Sequence, residues 1–167
     1  GVQTCALPIW DYARLPAAEL KPLSLNHLVK DVMHLYDLEN AKVPIRLELE
    51  DACPSVLGDA QQLRQVIHNL LQNAQDACLS ATGEVTEPRT VTLRTQWQAS
   101  NQRVRLAVLD QGDGFADHIL KRAFEPYVTT KSRGTGLGLA VVKKIADEHG
   151  SRIELGNRLK DGAVLGA

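Results

Sequence analysis

The sequence is poor in aromatics, net charge, paired cysteines and long apolar runs, and each shortage removes a class of protein. Aromatic residues make up 4% of the 167, so a core has to rest on Leu, Val, Ile and Ala. Nineteen basic residues stand against twenty acidic ones, a net charge of −1. That balance gives no electrostatic reason to expect nucleic acid or an anionic membrane as a partner. Three cysteines, Cys5, Cys53 and Cys78, include no CxxC pair, so reduced thiols are expected rather than a disulfide scaffold. No apolar run approaches the roughly 20 residues that span a bilayer. With 44% hydrophobic and 23% charged residues, what remains is the composition of one ordinary globular domain.

Both ends of the sequence read as cut. Residues 1–9, GVQTCALPI, lack the basic start and long apolar stretch of a secretory signal. They resemble the in-frame translation of a sequencing adapter and are expected to lie outside the fold. Residues 10–23 carry two prolines and little periodicity, which predicts a linker or the tail of an upstream helix. The domain proper is expected over 24–167. Its final DGAVLGA stops as an apolar run begins, so a last strand is expected to be cut short after a turn at Gly162-Ala163.

Between these ends the pattern alternates. Leu25, Leu28, Val29, Val32, Met33 and Tyr36 fall at helical spacing. IRLELE (45–50) alternates as a half-buried strand, and Cys53-Pro54 to Gly58 reads as a turn. Asp59 suits the N-cap of a long helix over 60–80, with Leu63, Val66, Ile67, Leu70, Leu71, Ala74 and Ala77 inward. Strands are predicted at 89–97 and 103–110, joined by polar residues as an antiparallel hairpin. A long irregular stretch, 111–135, has a short helical patch near 117–122 and is expected to be functional because of its length. A helix follows over 136–149, with Leu137, Ala140, Val141, Lys144 and Ile145 at helical spacing and Gly150 as its terminator. RIELG (152–156) reads as one more strand. The order predicts helices on one face of a mixed sheet.

Four features carry possible chemistry. Asn69 and Asn73, four apart in HNLLQNAQDA, stack on one side of the long helix. Two amide oxygens there could ligate a hard cation such as Mg²⁺; equally, they could be solvated amides. In DQGDGF, Asp110 closes a strand and could accept a hydrogen bond from an adenine amine, with Gly112 and Gly114 allowing close approach of a flat ligand; a plain strand-to-loop turn has the same look. FEPYVTTKSR (124–133) offers the anchors Phe124, Pro126 and Tyr127 and the cations Lys131 and Arg133, or simply a basic solvent loop. In GTGLGL (134–139), Gly134, Gly136 and Gly138 open a helix whose N-terminus favours anions. This segment follows a basic loop rather than a strand, so it is not a dinucleotide fingerprint. The G-x-x-x-x-G-K-[ST] pattern of a Walker A loop is also missing.

Taken in order, HNLLQNAQDA, DQGDGF, FEPYVTTK and GTGLGL resemble the N, G1, F and G2 boxes of the catalytic and ATP-binding domain of sensor histidine kinases. The resemblance runs from about Trp10 to Ala167. FEPYVTTK and the entry DYARLP…LKPLSLN are most similar to the nitrogen-regulation branch of two-component sensors.

The resemblance implies an α/β (α+β) two-layer sandwich of the Bergerat ATP-binding type. It implies ATP and Mg²⁺ as cofactors, with Asn73 as metal ligand and Asn69 supporting metal and phosphates. Asp110 would read the adenine, beside Gly112 and Gly114. Lys131 would reach the distal phosphates and, with Asn69, act in catalysis. Asp76, Phe124, Thr130, Thr135 and Leu137 fall within the matching boxes, and Arg133 between the last two, as nucleotide-site positions. Gly134, Gly136 and Gly138 would wrap the triphosphate, and residues 125–135 would form an ATP lid. In the water-activating ATPases of the superfamily a glutamate stands where this sequence has Asn69. An amide is a poor proton acceptor, which favours transfer to an imidazole brought from elsewhere.

None of His27, His34, His68, His118 or His149 has the family's phosphoacceptor context, a histidine followed by an acidic residue. Activity is therefore expected only in trans, toward a histidine on a separate dimerisation domain, for relay to a response regulator. A cytoplasmic setting is expected, with no direct membrane contact by this segment and a parent anchored in the bacterial inner membrane. The competing expectations are a non-catalytic nucleotide-binding or interaction module, and a serine-kinase or ATPase cousin on the same fold.

Overall fold

The computed structural model describes residues 15–36, 41–84, 86–126 and 138–157. The first helix, α1 (Leu25–Met33), starts where Ser24 takes an extended conformation and its Oγ accepts from His27 N–H at 3.3 Å. It buries Leu25, Leu28, Val29, Val32 and Met33, the stripe read from spacing. Each such burial contributes on the order of 1.5–3 kcal/mol.

The second helix, α2 (Ala60–Ser80), is capped by Asp59, whose carboxylate accepts from Gln61 N–H at 3.0 Å and Gln62 N–H at 3.1 Å. Its fully buried row is narrower than the predicted one: Gln62, Ile67, Leu71, Ala74 and Cys78. Leu63, Val66, Leu70 and Ala77 are only half-buried. At the far end, Arg89 donates to the carbonyls of Cys78 (3.3 Å), Ala81 (2.8 Å) and Gly83 (2.7 Å). A cation placed on the last carbonyls of a helix offsets its dipole.

The main sheet has the order β2 (Ile45–Leu49), β4 (Val91–Gln98), β5 (Arg103–Leu109). The first pair is parallel, with Ile45 opposite Val91. The second is an antiparallel hairpin, with Leu93 opposite Val108. This register places Val91, Leu93 and Thr95 beside Val104, Leu106 and Val108 on one face, and α1 and α2 pack there. Thr95 is buried among them; its Oγ1 donates to Asn26 Oδ1 at 2.7 Å and accepts from Glu50 N–H at 3.1 Å, tying α1 to the sheet. On the opposite face Arg94 Nε and Nη2 both lie 2.6 Å from Glu48 Oε2. The result is two layers, helices on one face of a mixed sheet, as the sequence predicts. A short helix, α3 (Asp117–Leu120), and a longer one, α4 (Gly138–Glu148), complete the described elements. The second buries Ala140, Val141, Val142 and Ile145 and packs along α2.

Three readings need correction. Residues 21–23, expected in a linker, form β1 (Lys21–Leu23), and residues 56–58, expected in a turn, form β3 (Val56–Gly58). The two pair antiparallel as a separate small sheet. Three residues are too few to show alternation, so only the partner reveals such strands. The segment before β1 is also held. Pro16 O accepts from Gln62 Nε2 at 2.7 Å, Ala18 N–H donates to Glu148 at 3.1 Å, and Glu19 N–H donates to Asp59 Oδ2 at 2.9 Å. Finally, residues 152–156 form no strand. They meet β5 through side chains, Glu154 lying 3.9 Å from Arg105. Ile153 and Leu155 are half-buried while Arg152 and Glu154 are exposed, so the alternation reports one-sided burial, which an extended segment achieves without a ladder. The turn expected at Gly162-Ala163, the start expected at Gly136 for α4, and residues 1–9 lie outside the described residues.

Candidate active site

Helix α2 carries both halves of the site. At its middle, Asn69 and Asn73 share one side, and the first residue of α4 meets them there. Asn69 Nδ2 donates to Gly138 O at 3.4 Å, and a Cβ on Gly138 would stand 3.8 Å from Asn73 Nδ2. Asp76 lies one turn further on and accepts from Gln72 Nε2 at 3.2 Å.

Two turns beyond Asn69, the loop after β5 closes on α2. A Cβ on Gly112 would sit 2.8 Å from Ala77 Cβ and 2.9 Å from Ala77 O, so the backbones touch and only glycine fits. Gly112 N–H donates to Asp110 Oδ1 at 2.8 Å, which fixes the carboxylate at the end of β5. By strand alternation, Asp110 continues the helix-facing row of Leu106 and Val108. Gly114 has φ +81°, a conformation in which a side chain is strained. From Asn69 to Ala77 the helix rises about 12 Å. The site is thus elongated, with amides and a helix N-terminus at one end and a carboxylate at the other.

Of the residues singled out in the sequence, Asn69, Asn73, Asp76, Asp110, Gly112 and Gly138 are placed along or against this one helix, while Gly114 lies against Asn157. Phe124 is half-buried in the turns after α3, beside the buried Ala123. Thr130, Lys131, Arg133, Gly134, Thr135, Gly136 and Leu137 lie outside the described residues. His68, beside Asn69, is held by Tyr36, whose Oη lies 2.8 Å from its Nδ1.

Sequence reasoning missed several supports. Thr82 donates from N–H and Oγ1 to Asp113 Oδ2 at 3.0 and 3.1 Å. Gln111 Oε1 accepts from Thr90 N–H at 2.7 Å. Asn157 binds both backbone groups of Phe115. These partners lie 21 to 42 residues apart, and no local pattern announces them. Beneath the loop, burial pushes the Cys78 thiol up, and the nearby Asp110 carboxylate adds to this against the opposing influence of Gln111 and Arg89.

The family described as "Histidine kinase-, DNA gyrase B-, and HSP90-like ATPase" matches residues 58–165. The chain is 34% identical over 154 residues to a putative sensor histidine kinase, NtrY-like, of Rickettsia felis; the match covers 92% of this chain and 24% of that protein. The chain therefore spans about a quarter of the length of such relatives. Among solved structures, it is 30% identical to the catalytic domain of histidine kinase ThkA, with a TM-score of 0.69 over 84% of this chain and 89% of that one. Full-length ShkA, solved in complex with AMPPNP, is 29% identical with a TM-score of 0.73, over 95% of this chain and 32% of that one. The matched family, the similar solved structures and the two-layer fold agree: the chain belongs to the histidine kinase-, DNA gyrase B- and HSP90-like ATPases, as the ATP-binding catalytic domain of a two-component sensor histidine kinase.

Proposed function

We propose that this domain transfers the γ-phosphoryl group of Mg-ATP to a histidine on a separate dimerisation domain, from which a response regulator takes it. The observation that carries the reading is the shared helix: α2 presents Asn69 and Asn73 to the start of α4 and, two turns on, supports the loop of Asp110 and Gly112.

The carboxylate of Asp110 accepts a hydrogen bond from the exocyclic amine of adenine, and Gly112, seated on the Ala77 backbone, holds the loop against α2 beside it. The phosphates then lie toward Asn69, Asn73 and the N-terminus of α4, where the helix dipole favours anions. The donor set suits magnesium. Among the described residues no three His, Cys, Asp or Glu side chains are grouped to hold a metal alone, while amide oxygens are hard ligands that leave room for phosphate oxygens. Asn73 would hold the ion and Asn69 would support it; when bound, it neutralises charge on the phosphates. Lys131, Thr130, Arg133 and the 134–138 glycine segment are assigned to the phosphate end on the strength of the family motif alone.

Asn69 offers an amide where a proton-accepting group would be needed to activate water. An imidazole attacks through a free ring nitrogen and requires no such base, so positioning and charge stabilisation suffice. None of His27, His34, His68, His118 and His149 is followed by an acidic residue, as the family's phosphoacceptor is. The acceptor therefore comes in trans. Dependence on ATP implies a cytoplasmic setting; no helix among the described residues is long and apolar enough to cross a membrane, and we assign any anchoring of the parent protein to segments outside this chain.

The test is Mg-ATP calorimetry on the chain and on Asp110→Asn, followed by mixing with a separate dimerisation domain and assaying acid-labile phosphohistidine. The native chain is expected to bind. The variant should lose about 1.5–3 kcal/mol, the usual worth of a hydrogen bond to a charged group, or roughly ten- to hundred-fold in affinity. Absence of binding by the folded native chain would sink the reading. Binding without phosphohistidine would leave a nucleotide-binding module.

A further inference from the structure

We infer that Asn157 is a positioning residue for the adenine end of the nucleotide site, acting through the backbone of Phe115 on the loop that contains Gly112 and Gly114. The inference rests on the assignment of that loop to adenine made above.

Phe115 N–H donates to Asn157 Oδ1 at 2.8 Å, and Asn157 Nδ2 donates to Phe115 O at 2.7 Å. One planar amide thus satisfies both backbone groups of a residue 42 positions away in sequence, as a neighbouring strand would. An amide is the side-chain group that offers a donor and an acceptor side by side with no charge. A carboxylate keeps only the acceptor. The amide also fills the volume beside Gly114: a Cβ there would lie 2.7 Å from Asn157 Oδ1 and 3.1 Å from Cγ. Gly114 at φ +81° and Asn157 are therefore fitted to one another.

The loop is fixed at two points. At its start, Asp110 holds Gly112 N–H, and Gly112 rests on the Ala77 backbone. At its end, Asn157 holds Phe115. Asp113, between them, is tied outward to Thr82. Without Asn157 the loop keeps its start and its outward tie but loses the point that sets where Gly114 sits. The half-buried Phe115 amide and carbonyl would also lose their partners, a cost that favours rearrangement of the loop.

Calorimetry on the 167-residue chain compares Mg-ATP and Mg-ADP binding by the native protein, Asn157→Ala and Asn157→Asp, each first shown to be folded by circular dichroism. Both nucleotides carry the same base, so a residue acting at the adenine end weakens them by the same factor. The expected loss is about five- to twenty-fold for Asn157→Ala, as for one or two hydrogen bonds. Asn157→Asp should lose at least as much, since it keeps the acceptor for Phe115 N–H but turns a second carboxylate oxygen, with no proton to donate, toward Phe115 O. Unchanged affinities in a folded variant, or a loss confined to ATP, overturn the inference. Hydrogen exchange at the Phe115 amide of the native chain decides independently of any folding defect: it should slow when Mg-ADP binds, and exchange unaltered by a saturating amount overturns the inference. Failure of the native chain to bind either nucleotide would instead count against the proposed function.

Discussion

The backbone N–H of Asp59 donates to Nε2 of His149 at 2.9 Å, across 90 residues of sequence. Nδ1 of the same ring lies 2.8 Å from Ile145 O, so the proton sits on Nδ1 and the ring bridges the end of α4 to the start of α2. Asp59 meanwhile caps α2 and holds Glu19 N–H with its other oxygen. One residue therefore joins the entry segment, α2 and the close of α4.

Replacing Asp59 with Ala should destabilise the chain by about 1 kcal/mol or more, the worth of an N-cap, measured by urea denaturation. Hydrogen bonds from Glu19 N–H, then Gln62 and Gln61 N–H, with the nearby His149, hold the Asp59 carboxyl below its ordinary value against the opposing effect of burial. The folded value lies below the unfolded one, near 3.9. The charge-dependent part of its contribution is thus fully present above that unfolded value and disappears as pH falls through the folded one. The stability gap between native and Asp59→Asn chains should be flat from pH 7 to about 5 and close in more acid solution.

At Gly112, Ala substitution should lower both stability and nucleotide affinity. The new Cβ would meet the Ala77 backbone at 2.9 Å, and overpacking of this kind costs about 1–3 kcal/mol. Ala77→Gly removes the methyl contact but leaves the carbonyl, so the double variant should recover only part of the loss. Full recovery of Mg-ATP affinity in the double variant would show that the methyl alone sets the limit.

Cys78 is 4% exposed and its thiol is pushed up by burial, whereas Cys53 is partly exposed. Peptide-level mass spectrometry after mild alkylation at neutral pH should find Cys53 modified and Cys78 protected until denaturant is added. Nucleotide should slow labelling of Cys78 further, because a ligand that binds only the folded state suppresses opening.

The Glu48–Arg94 pair sits on the face away from the helices, with both side chains roughly one-third exposed. Pairs so open to solvent are worth about 1 kcal/mol or less. Arg94→Met should shift the urea midpoint only slightly and leave Mg-ATP affinity unchanged. A large affinity change would place part of the nucleotide site on that face.

Residues whose chemistry is local were legible in advance. Asp59 announced its helix because a capping carboxylate bonds two or three residues ahead, and the Val91–Leu93–Thr95 row announced its strand by alternation. Gly112 and Gly114 could be flagged as places where the backbone needs freedom. What the sequence could not disclose is what fills the space beside them: Ala77 in one case and Asn157 in the other. The same holds for β1 and β3, each too short to carry a pattern. The 152–156 segment misled for the opposite reason, since its alternation is real but answers to burial rather than to pairing.

The parallel pairing of β2 with β4 also fixes an order of events. Ile45 finds its partner Val91 only after all of α2 has been made, whereas β4 and β5 meet across a tight turn. Loop closure over a long segment has to be compensated before the distant contact forms. A nascent chain that ends before Val91 can already join α1 to α2 and β1 to β3, yet its β2 has an open edge on both sides. Such an edge is a template for association with other chains. On a ribosome or in a truncated product, the main sheet of this domain is therefore born last, and the interval before β4 emerges is when β2 is most in need of shelter.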